Sequence, residues 1–272
     1  MSESQVVLVT GASSGVGQAT TQSLARHGFR VFGTSRNPAG NGTTPGVTML
    51  PLDVRSDESV TACVRAVSGQ AGRLDVLVNN AGYEQAGALE ELSLDEAKAQ
   101  FETNFFGVMR MVNAVLPLMR RQRSGRIINV SSLSGLSPIP FMGIYSASKF
   151  AVDGYTEALR HEVRPFNIHV SQIEAGFLKT PMMSHRQTAA QRIAEYDPWR
   201  QRAYDAIRGY EEKGPGPDLL AETVLKITAS RKPRLRYIVG GQAKLVTRLR
   251  QFLPEAAFEQ GARNTFRLDR QG

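Results

Sequence analysis

Tyr145 and Lys149 are the two side chains of this sequence best placed to act together on a proton. They are four residues apart, so on a helix both point from one face about one turn apart. The phenol of a free tyrosine titrates at a pKa of about 10, and a neighbouring cation lowers that pKa because it favours the phenolate. A proton donor tuned toward neutral pH is what the reduction of a carbonyl or the oxidation of an alcohol requires. The alternative is an ordinary, half-buried helix surface.

Alternating apolar runs and helical patterns predict the scaffold that carries this pair. Continuous apolar strands separated by helices are typical of a parallel sheet covered on both faces. Because crossovers between parallel strands are right-handed, we predict an α/β fold of the doubly wound, Rossmann type, with a seven-stranded, mainly parallel sheet. The strands are expected at residues 6–10, 30–35, 47–52, 74–79, 126–131, 168–173 and 237–239. The helices are expected at residues 15–27, 57–68, 93–123 and 145–164.

Residues 1–272 are predicted to form a single domain, because no repeat, low-complexity stretch or linker divides them. Residues 177–217 are too long for an ordinary connection and contain several aromatic side chains, so we predict a substrate lid there. Residues 241–272 form a basic C-terminal extension, and the excess charge of +8 is confined to residues 226–272. A basic patch binds nucleic acid or an anionic membrane, or is simply a solvated face.

The segment 244–253 of this extension has the pattern of an amphipathic helix. We expect its apolar face to pack against the body of the protein or a partner subunit, with weak peripheral membrane contact as the alternative. Aromatic and cationic residues do not alternate as they do in proteins that bind single strands, so nucleic acid is not expected as a partner. The apolar positions are Leu245, Leu249, Phe252 and Leu253.

A glycine-rich loop follows the first predicted strand and opens the first helix. Gly11, Gly15 and Gly17 allow a tight turn and let the backbone approach a pyrophosphate. The N-terminus of the helix adds amide donors and a favourable dipole. The loop therefore predicts a dinucleotide site, with Ser13 and Ser14 as further hydroxyl donors. An ordinary glycine-rich turn is the alternative.

The end of the second strand indicates which dinucleotide binds. NAD sites usually place an acidic residue there to accept hydrogen bonds from the ribose. This chain has Gly33-Thr34-Ser35-Arg36-Asn37, without a carboxylate. Arg36 would instead meet a 2′-phosphate through a charge-assisted contact, so we predict NADP(H) over NAD(H). The alternative is that Arg36 is a solvated loop cation.

Together these residues resemble the short-chain dehydrogenase/reductase family over roughly residues 5–240. The Gly-x-x-x-Gly-x-Gly spacing of the loop and the stretch Asn79-Asn80-Ala81-Gly82 are similar to two signatures of that family. Through Thr34-Ser35-Arg36 and the long lid, the chain is most similar to the branch that contains 17β-hydroxysteroid and retinol dehydrogenases. The resemblance implies a catalytic tetrad of Asn104, Ser132, Tyr145 and Lys149. It implies cofactor contacts from Gly11, Ser13, Ser14, Gly15, Val16, Gly17, Arg36, Asp53, Val54, Asn80, Ala81, Gly82, Tyr145, Lys149, Gly176 and Thr180.

The resemblance also implies a role for each catalytic residue. Tyr145 gives a proton to the substrate oxygen during reduction, or removes one during oxidation. Lys149 lowers the pKa of that phenol and hydrogen-bonds the nicotinamide ribose. Ser132 polarises the carbonyl of the substrate, whose oxygen gains negative charge during the reaction. Asn104 holds a water that links Lys149 to solvent. Ser131 is the alternative serine, but Ser132 has the usual spacing to the tyrosine.

One position departs from the family pattern. Ala175 stands where the family usually has a proline before Gly176, which loosens the turn that forms the nicotinamide wall. Asp53 is expected to lie toward the adenine ring, and the hydroxyl of Thr180 is expected to meet the carboxamide. The departure concerns the geometry of the pocket more than activity.

These residues predict an NADP(H)-dependent oxidoreductase that acts on a lipophilic ketone, aldehyde or alcohol. A catalytically silent dinucleotide-binding regulator is one alternative, which an incomplete tetrad would favour. Membrane or nucleic-acid binding through the basic C-terminal extension is another. The residues do not fix the direction of the reaction, although NADP(H) favours reduction. Candidates for the apolar pocket are Pro138, Ile139, Pro140, Phe141, Met142, Met182, Met183, Trp199 and Tyr204.

Composition adds expectations about the surroundings of the protein. A single cysteine, Cys63, fits a reducing compartment, so a cytoplasmic location is expected. No targeting segment and no apolar run long enough to span a bilayer are recognised, and no metal site is expected. The resemblance implies a homo-dimer or homo-tetramer formed through the helices that begin near Phe101 and Tyr145.

Overall fold

The computed structural model describes residues 4–38, 45–180 and 186–269. Its main sheet has seven strands, all parallel, in the spatial order β3-β2-β1-β4-β6-β7-β9. The predicted doubly wound α/β fold is therefore confirmed. The strands of this sheet are β1 (Val6–Val9), β2 (Arg30–Ser35), β3 (Val47–Pro51), β4 (Val76–Asn79), β6 (Gly125–Ser132), β7 (Ile168–Ala175) and β9 (Arg236–Val239), and β5 (Gln85–Ala86) pairs with β8 (Gln187–Thr188) in a second, two-stranded sheet.

Nine α-helices lie in the part of the chain that is described. They are α1 (Gly15–Arg26), α2 (Asp57–Ala71), α3 (Leu94–Phe101), α4 (Gly107–Gln122), α5 (Gly143–Glu162), α6 (Asp197–Glu212), α7 (Asp218–Ala229), α8 (Gly241–Phe252) and α9 (Glu255–Thr265). None of them combines the length and the apolar content that crossing a bilayer requires.

The helical region predicted at residues 93–123 is interrupted. Ser93 caps its start, and the side chain of Glu96 bonds back to the amide of Ser93, as its capping box predicts. Between α3 and α4, however, Glu102–Phe106 forms a π-helical turn. Such turns are typical of functional positions in helices. Hydrophobic periodicity predicts a helix here but does not predict this turn.

The apolar core is divided into two layers by the sheet. Along β1, Val6 and Leu8 face the layer built with α2, α4 and α5, whereas Val7 and Val9 face the layer built with α1 and α7. This alternation follows from the two-residue repeat of a strand. Full burial of each such side chain contributes roughly 1.5–3 kcal/mol to folding. The sheet is therefore fixed from both sides, and its carboxyl edge is a rigid platform.

The segment 177–217 contains secondary structure of its own. It includes β8 and α6, and β8 ties it to β5 in the loop that follows β4. Met182 and Met183, two of the predicted pocket residues, lie outside the described residues. The basic extension forms α8 and α9.

Candidate active site

A cleft of about 660 Å³ opens at the carboxyl edge of the sheet, where the order of strands reverses between β1 and β4. Ligands of open α/β sheets bind at such a switch point, and the volume lies in the usual range of ligand pockets. Of the predicted site residues, Gly17 and Asn104 lie behind the wall of the cleft. The others line it: Gly11, Ser13, Ser14, Gly15, Val16, Arg36, Asp53, Val54, Asn80, Ala81, Gly82, Ser132, Tyr145, Lys149, Gly176 and Thr180.

The glycine loop needs glycine for two different reasons. Gly11 and Gly15 have φ values of +67° and +52°, where a side chain strains the backbone. At Gly17 the reason is space, because a Cβ there would lie 2.2 Å from the carbonyl oxygen of Gly11. The side-chain amide of Asn80 fixes the loop further, since its Nδ2 donates to the carbonyls of Thr10 and Gly11 at 3.0 Å each.

The start of α1 is open toward the cleft. Ser14 is its N-cap residue but accepts no hydrogen bond through its side chain, and both Ser13 and Ser14 are exposed. The first amides of a helix lack partners within the helix and attract anions. The loop, the open helix start and the serine hydroxyls therefore fit the diphosphate of a dinucleotide.

Two arginines lie at the far end of the cleft, beyond the start of α1. Arg36 follows β2 and is exposed, and Arg55 lines the cleft beside Asp53. Asp53 forms an ion pair with Arg55 at 2.6 Å, which lowers the pKa of the carboxyl to about 2. The carboxylate expected to lie toward adenine is thus held by a neighbouring guanidinium, and this end of the cleft carries more positive than negative charge.

Ser132, Tyr145 and Lys149 meet at the other end. Ser132 ends β6, and its side chain is hydrogen-bonded to that of Tyr145 on α5. The Lys149 Nζ donates to the carbonyl oxygen of Val130 at 2.9 Å and lies 5.8 Å from the centre of the Tyr145 ring. Ser131 points elsewhere, because its Oγ donates to Asp153 at 2.5 Å. Of the two serines, Ser132 is therefore the one beside the phenol.

The pKa of Tyr145 differs from the prediction. Burial, followed by the charge of Glu84, raises the pKa of this phenol above its ordinary value, and the hydrogen bond from Ser132 opposes the rise. Burial also lowers the pKa of Lys149 to about 8. The expectation that Lys149 brings the phenol toward neutral pH is not met, because both groups lose water in the same place. Tyr145 therefore keeps its proton at neutral pH.

Asn104 lies in the π-helical turn and holds the loop after β4. Its Nδ2 donates to the carbonyl of Tyr83 at 3.0 Å and to the Oγ of Ser148 at 3.3 Å, and its Oδ1 accepts from the amide of Tyr83 at 3.1 Å. A Cβ on Gly82 would lie 3.0 Å from that Oδ1. These contacts engage the side-chain amide of Asn104, and the role of Asn104 in holding a water stays a prediction.

The predicted residues near β7 form one wall of the cleft. Ala175 is the last residue of β7 and pairs with Ser132 and Val239 on the two neighbouring strands. Gly176 follows, and its amide donates to the carbonyl of Val239 at 2.9 Å. Strand pairing thus fixes the turn in which alanine replaces proline. Thr180 also lines this side of the cleft.

An apolar cluster surrounds Tyr145. Ile139 and Met142 line the cleft and belong to this cluster, with Phe141 and Tyr204 packed against it. Phe266, at the end of α9, is buried in the same cluster, so the basic extension contributes to this wall. Trp199, predicted as a pocket residue, is instead exposed and outside the cleft lining.

Three charged residues beside the phenol were not predicted. Arg186 bridges two carboxylates, with its Nη2 2.7 Å from Glu84 and 2.6 Å from Glu211. Glu84 lies in the loop after β4, Arg186 precedes β8 and Glu211 lies in the last turn of α6. No sequence motif links residues that lie so far apart in the chain, so only the fold brings these three together. We call these three residues the acidic triad. In the described ranges, no group of three or more His, Cys, Asp or Glu side chains is arranged to hold a metal.

Asp153, one turn after Lys149 on α5, is expected to make stability depend on pH. Burial and the charge of Glu174 raise the pKa of its carboxyl from 3.8 to about 7, although Arg236 lies 3.6 Å away. The folded state keeps a proton that the unfolded chain releases, so the free energy of unfolding falls as pH rises through this window. In Asp153→Asn this fall should be smaller. Urea unfolding at about pH 5 and about pH 7 measures it.

The exposed Asp95 supplies the matched control for that measurement. Asp95→Asn should keep the pH dependence of the unchanged protein. The same slope in Asp153→Asn and in the unchanged protein would show that Asp153 does not titrate in this window.

Comparison with known proteins gives a consistent result. The family model described as "short chain dehydrogenase" matches residues 5–191. The chain is 41% identical over 262 residues to a 3-ketodihydrosphingosine reductase of Bacteroides thetaiotaomicron, covering 95% of this chain and 97% of the relative. It is 37% identical to retinol dehydrogenase 8 of Bos taurus, covering 85% and 80% of the two chains.

Solved structures share the architecture. An actinorhodin polyketide ketoreductase solved with NADPH superimposes with a TM-score of 0.75 at 32% identity, covering 88% of this chain and 97% of that one. A short chain dehydrogenase/reductase from Burkholderia phymatum, solved with NAD, gives a TM-score of 0.79 at 26% identity, covering 92% and 93%. Structures of this kind thus hold either dinucleotide.

Proposed function

The chain belongs to the short-chain dehydrogenase family, and we propose that it is an NADP(H)-dependent oxidoreductase that interconverts a lipophilic ketone or aldehyde with its alcohol. Oxidoreductase action on alcohol or keto groups follows from the family and its relatives. One observation carries the finer proposal. Ser132, Tyr145 and Lys149 share one cleft with the glycine loop and the two arginines.

The proposed chemistry at the substrate oxygen belongs to Tyr145 and Ser132. When bound, the reduced nicotinamide supplies the hydride. The Tyr145 hydroxyl gives its proton to the oxygen of the carbonyl, and the Ser132 hydroxyl donates a hydrogen bond where negative charge develops. Burial keeps the phenol protonated, as the proton donor of a reduction must be, and the same pair runs the reverse step by taking a proton from an alcohol. The proposed preference for NADP(H) favours reduction as the working direction.

Lys149 is proposed to position the cofactor and to stabilise the tyrosinate that remains after proton transfer. Its ammonium already donates to the Val130 carbonyl and has further donors to offer. A pKa of about 8 leaves it mainly charged at neutral pH. In this proposal Lys149 hydrogen-bonds the nicotinamide ribose, and its charge acts on the phenol more strongly once Tyr145 has become an anion.

The proposed preference for NADP(H) rests on charge. Arg36 and Arg55 lie at one end of the cleft, with Asp53 paired to the latter. An exposed guanidinium at the end of β2 suits a 2′-phosphate and offers no acceptor to a ribose hydroxyl.

A lipophilic substrate is proposed because the reacting end of the cleft is built on apolar side chains. The similar reductase and retinol dehydrogenase are named for lipid-like substrates, which agrees with this wall. We propose that segment 177–217 covers the substrate as a lid, since Phe177 and Glu211 from it line the cleft.

A nicotinamide absorbance assay tests the function. The protein is mixed with each reduced or oxidised dinucleotide and a panel of lipophilic ketones, aldehydes and alcohols of increasing chain length. We expect turnover of carbonyls with NADPH, with a lower KM for longer chains. Tight dinucleotide binding without turnover of any compound would instead favour a catalytically silent regulator.

Self-association through α4 and α5 is also proposed. Phe106, after α3, and Phe150, on α5, are large apolar side chains that stay more than 40% exposed. Phe105 lies between these elements and contacts Tyr155 edge to face, with ring centres 6.0 Å apart. Exposed aromatic surface of this kind marks interfaces. Sedimentation velocity should show a dimer or tetramer, and a monomer at micromolar concentration would contradict the proposal.

The surface of α8 favours weak contact with an anionic membrane. The face expected to pack against the body is instead exposed at Leu245, Leu249, Phe252 and Leu253, with Phe252 78% exposed. Within α8 only Ala243 is buried, so the helix touches the body along a narrow line. Apolar side chains beside lysine and arginine are typical of helices that lie in the membrane interface.

The change Leu245→Glu with Phe252→Glu tests this contact by co-sedimentation with vesicles that contain phosphatidylserine. Each replaced side chain contributes roughly 1.5–3 kcal/mol when buried, so the vesicle-bound fraction should fall about tenfold or more. Leu219→Glu, which replaces another exposed leucine on α7, should bind as before. Equal binding of all three proteins would exclude a role for α8. Point changes are preferred to truncation because Phe266 supports the wall around Tyr145.

A further inference from the structure

The acidic triad lies at the reacting end of the cleft. Glu84 and Glu211 line the cleft together with Tyr145, and Arg186 lies between the two carboxylates. All three charges act on the Tyr145 phenol, where the two carboxylates raise its pKa and Arg186 lowers it. The triad therefore lies within electrostatic reach of the atom that transfers the proton.

The triad has more negative charge than its own arginine balances. Arg186 uses Nε and Nη2 for Glu84, at 2.8 and 2.7 Å, and the same Nη2 for the Oε1 of Glu211 at 2.6 Å. The charge of the nearby Lys149 interacts more strongly with Asp153 than with Glu84. Two carboxylates thus share one guanidinium, which leaves an excess negative charge in a place of low dielectric.

One oxygen of the triad has no hydrogen-bond partner. Glu211 is only 6% exposed, and its Oε2 is without a partner among the described residues. A buried acceptor left unpaired is unfavourable, and more so when it is charged. Both oxygens of the buried Glu91 accept hydrogen bonds. Within the described ranges, by contrast, Asp153 and Glu174, like Glu211, each leave one oxygen unpaired. Because Glu211 also lines the cleft, a small shift of its side chain would bring this oxygen to a donor there.

We propose that the acidic triad is the subsite for a protonated amine of the substrate. Of the common donors, an ammonium group both bonds the unpaired oxygen and neutralises the excess charge. An anionic group is repelled there, and an alkyl group leaves Glu211 unpaired. The substrate class is then a lipophilic ketone with an amino group close to the carbonyl, because the triad and Tyr145 act on the same end of the cleft. This inference rests on the proposed function for the carbonyl and adds the amine.

A binding measurement tests the subsite without turnover. Octylammonium and octanol have the same chain and differ in the charged donor, so we compare their dissociation constants by calorimetry on the full chain with NADP⁺ present. We expect octylammonium to bind about tenfold or more tightly than octanol, as a charged hydrogen bond predicts. Glu211→Gln should bring the ratio close to one. Glu212→Gln, which removes the exposed neighbouring carboxylate, should keep the ratio of the unchanged protein.

Equal binding of the two compounds to the unchanged protein would overturn the inference. So would a ratio that survives Glu211→Gln in a protein whose thermal unfolding is normal. If Glu211→Gln does not fold, Glu84→Gln is measured in its place, and a ratio unchanged in that variant overturns the inference as well.

Kinetics separate this inference from the proposed function. An α-amino ketone is compared with the α-methyl ketone of equal length, with NADPH. A kcat/KM about tenfold or more higher for the amino ketone that falls toward the value of the methyl ketone in Glu211→Gln supports both, because the intrinsic reactivity of the amino ketone is the same with either protein. Equal values of kcat/KM for the two ketones would agree with the proposed oxidoreductase function and overturn the amine subsite. Selective octylammonium binding without reduction of any carbonyl supports the subsite and contradicts the proposed function.

Discussion

Replacing Tyr145 by phenylalanine is expected to lower kcat about 10²- to 10⁴-fold, the usual contribution of a positioned general acid. The change removes the hydroxyl and keeps the ring, which is buried in the apolar cluster with Ile139 and Met142. Only the proton and the hydrogen bond to Ser132 are lost. Affinity for the dinucleotide should stay within about twofold, because the change leaves the proposed diphosphate contacts at the glycine loop intact. Stopped-flow absorbance and cofactor fluorescence measure the two quantities.

Tyr204→Phe is the matched control for this change. Its ring packs against the same cluster, and it loses a hydroxyl from a half-buried tyrosine without changing the reacting end. It should keep kcat within a few-fold of the unchanged protein. A Tyr145→Phe protein with full activity would show that the proton comes from another group, and the proposed mechanism would fail.

Replacing Arg36 by aspartate is expected to reverse the choice of dinucleotide. The change removes a charge-assisted contact to a 2′-phosphate, worth about 1.5–3 kcal/mol, and adds a carboxylate that accepts from a ribose hydroxyl. The ratio of kcat/KM for NADPH over NADH should therefore fall about 10²-fold or more. Because like charges repel, the loss with NADPH should be larger at low salt than at high salt.

Arg121→Asp controls for the change of net charge. Arg121 is an exposed arginine in the last turn of α4 and does not line the cleft. Its ratio should stay that of the unchanged protein. A preference for NADPH that survives in Arg36→Asp would place recognition of the phosphate on other residues, and Arg55 beside Asp53 is then the next candidate.

Local sequence signals predicted much of the fold and of the cleft. A strand such as Val6–Val9 followed by a glycine loop encodes its own turn, so both the strand and the tight turn after it are predictable from neighbouring residues. The pair Tyr145 and Lys149 is predictable for the same reason, because one helix sets the distance between them. The structure places Ser132 rather than Ser131 beside the phenol, since Ser131 contacts Asp153.

Properties that depend on distant residues could not be predicted in this way. The triad joins residues 84, 186 and 211, which no spacing relates. The raised pKa of Tyr145 comes from burial, which the fold supplies and the pair of residues does not. The apolar face of α8 is visible in the sequence, but whether the body covers it depends on where the helix leaves β9.

The two ends of the cleft differ in their charged groups. Arg36 and Arg55 lie at one end with Asp53, and Glu84 and Glu211 lie at the other beside Lys149 and Arg186. A polarised channel of this kind orients an elongated guest before any close contact forms, since the anionic part is drawn one way and a cationic part the other. If the amine subsite is as proposed, a fatty carboxylate would be disfavoured beside the two glutamates, and molecules would be sorted by charge as well as by shape.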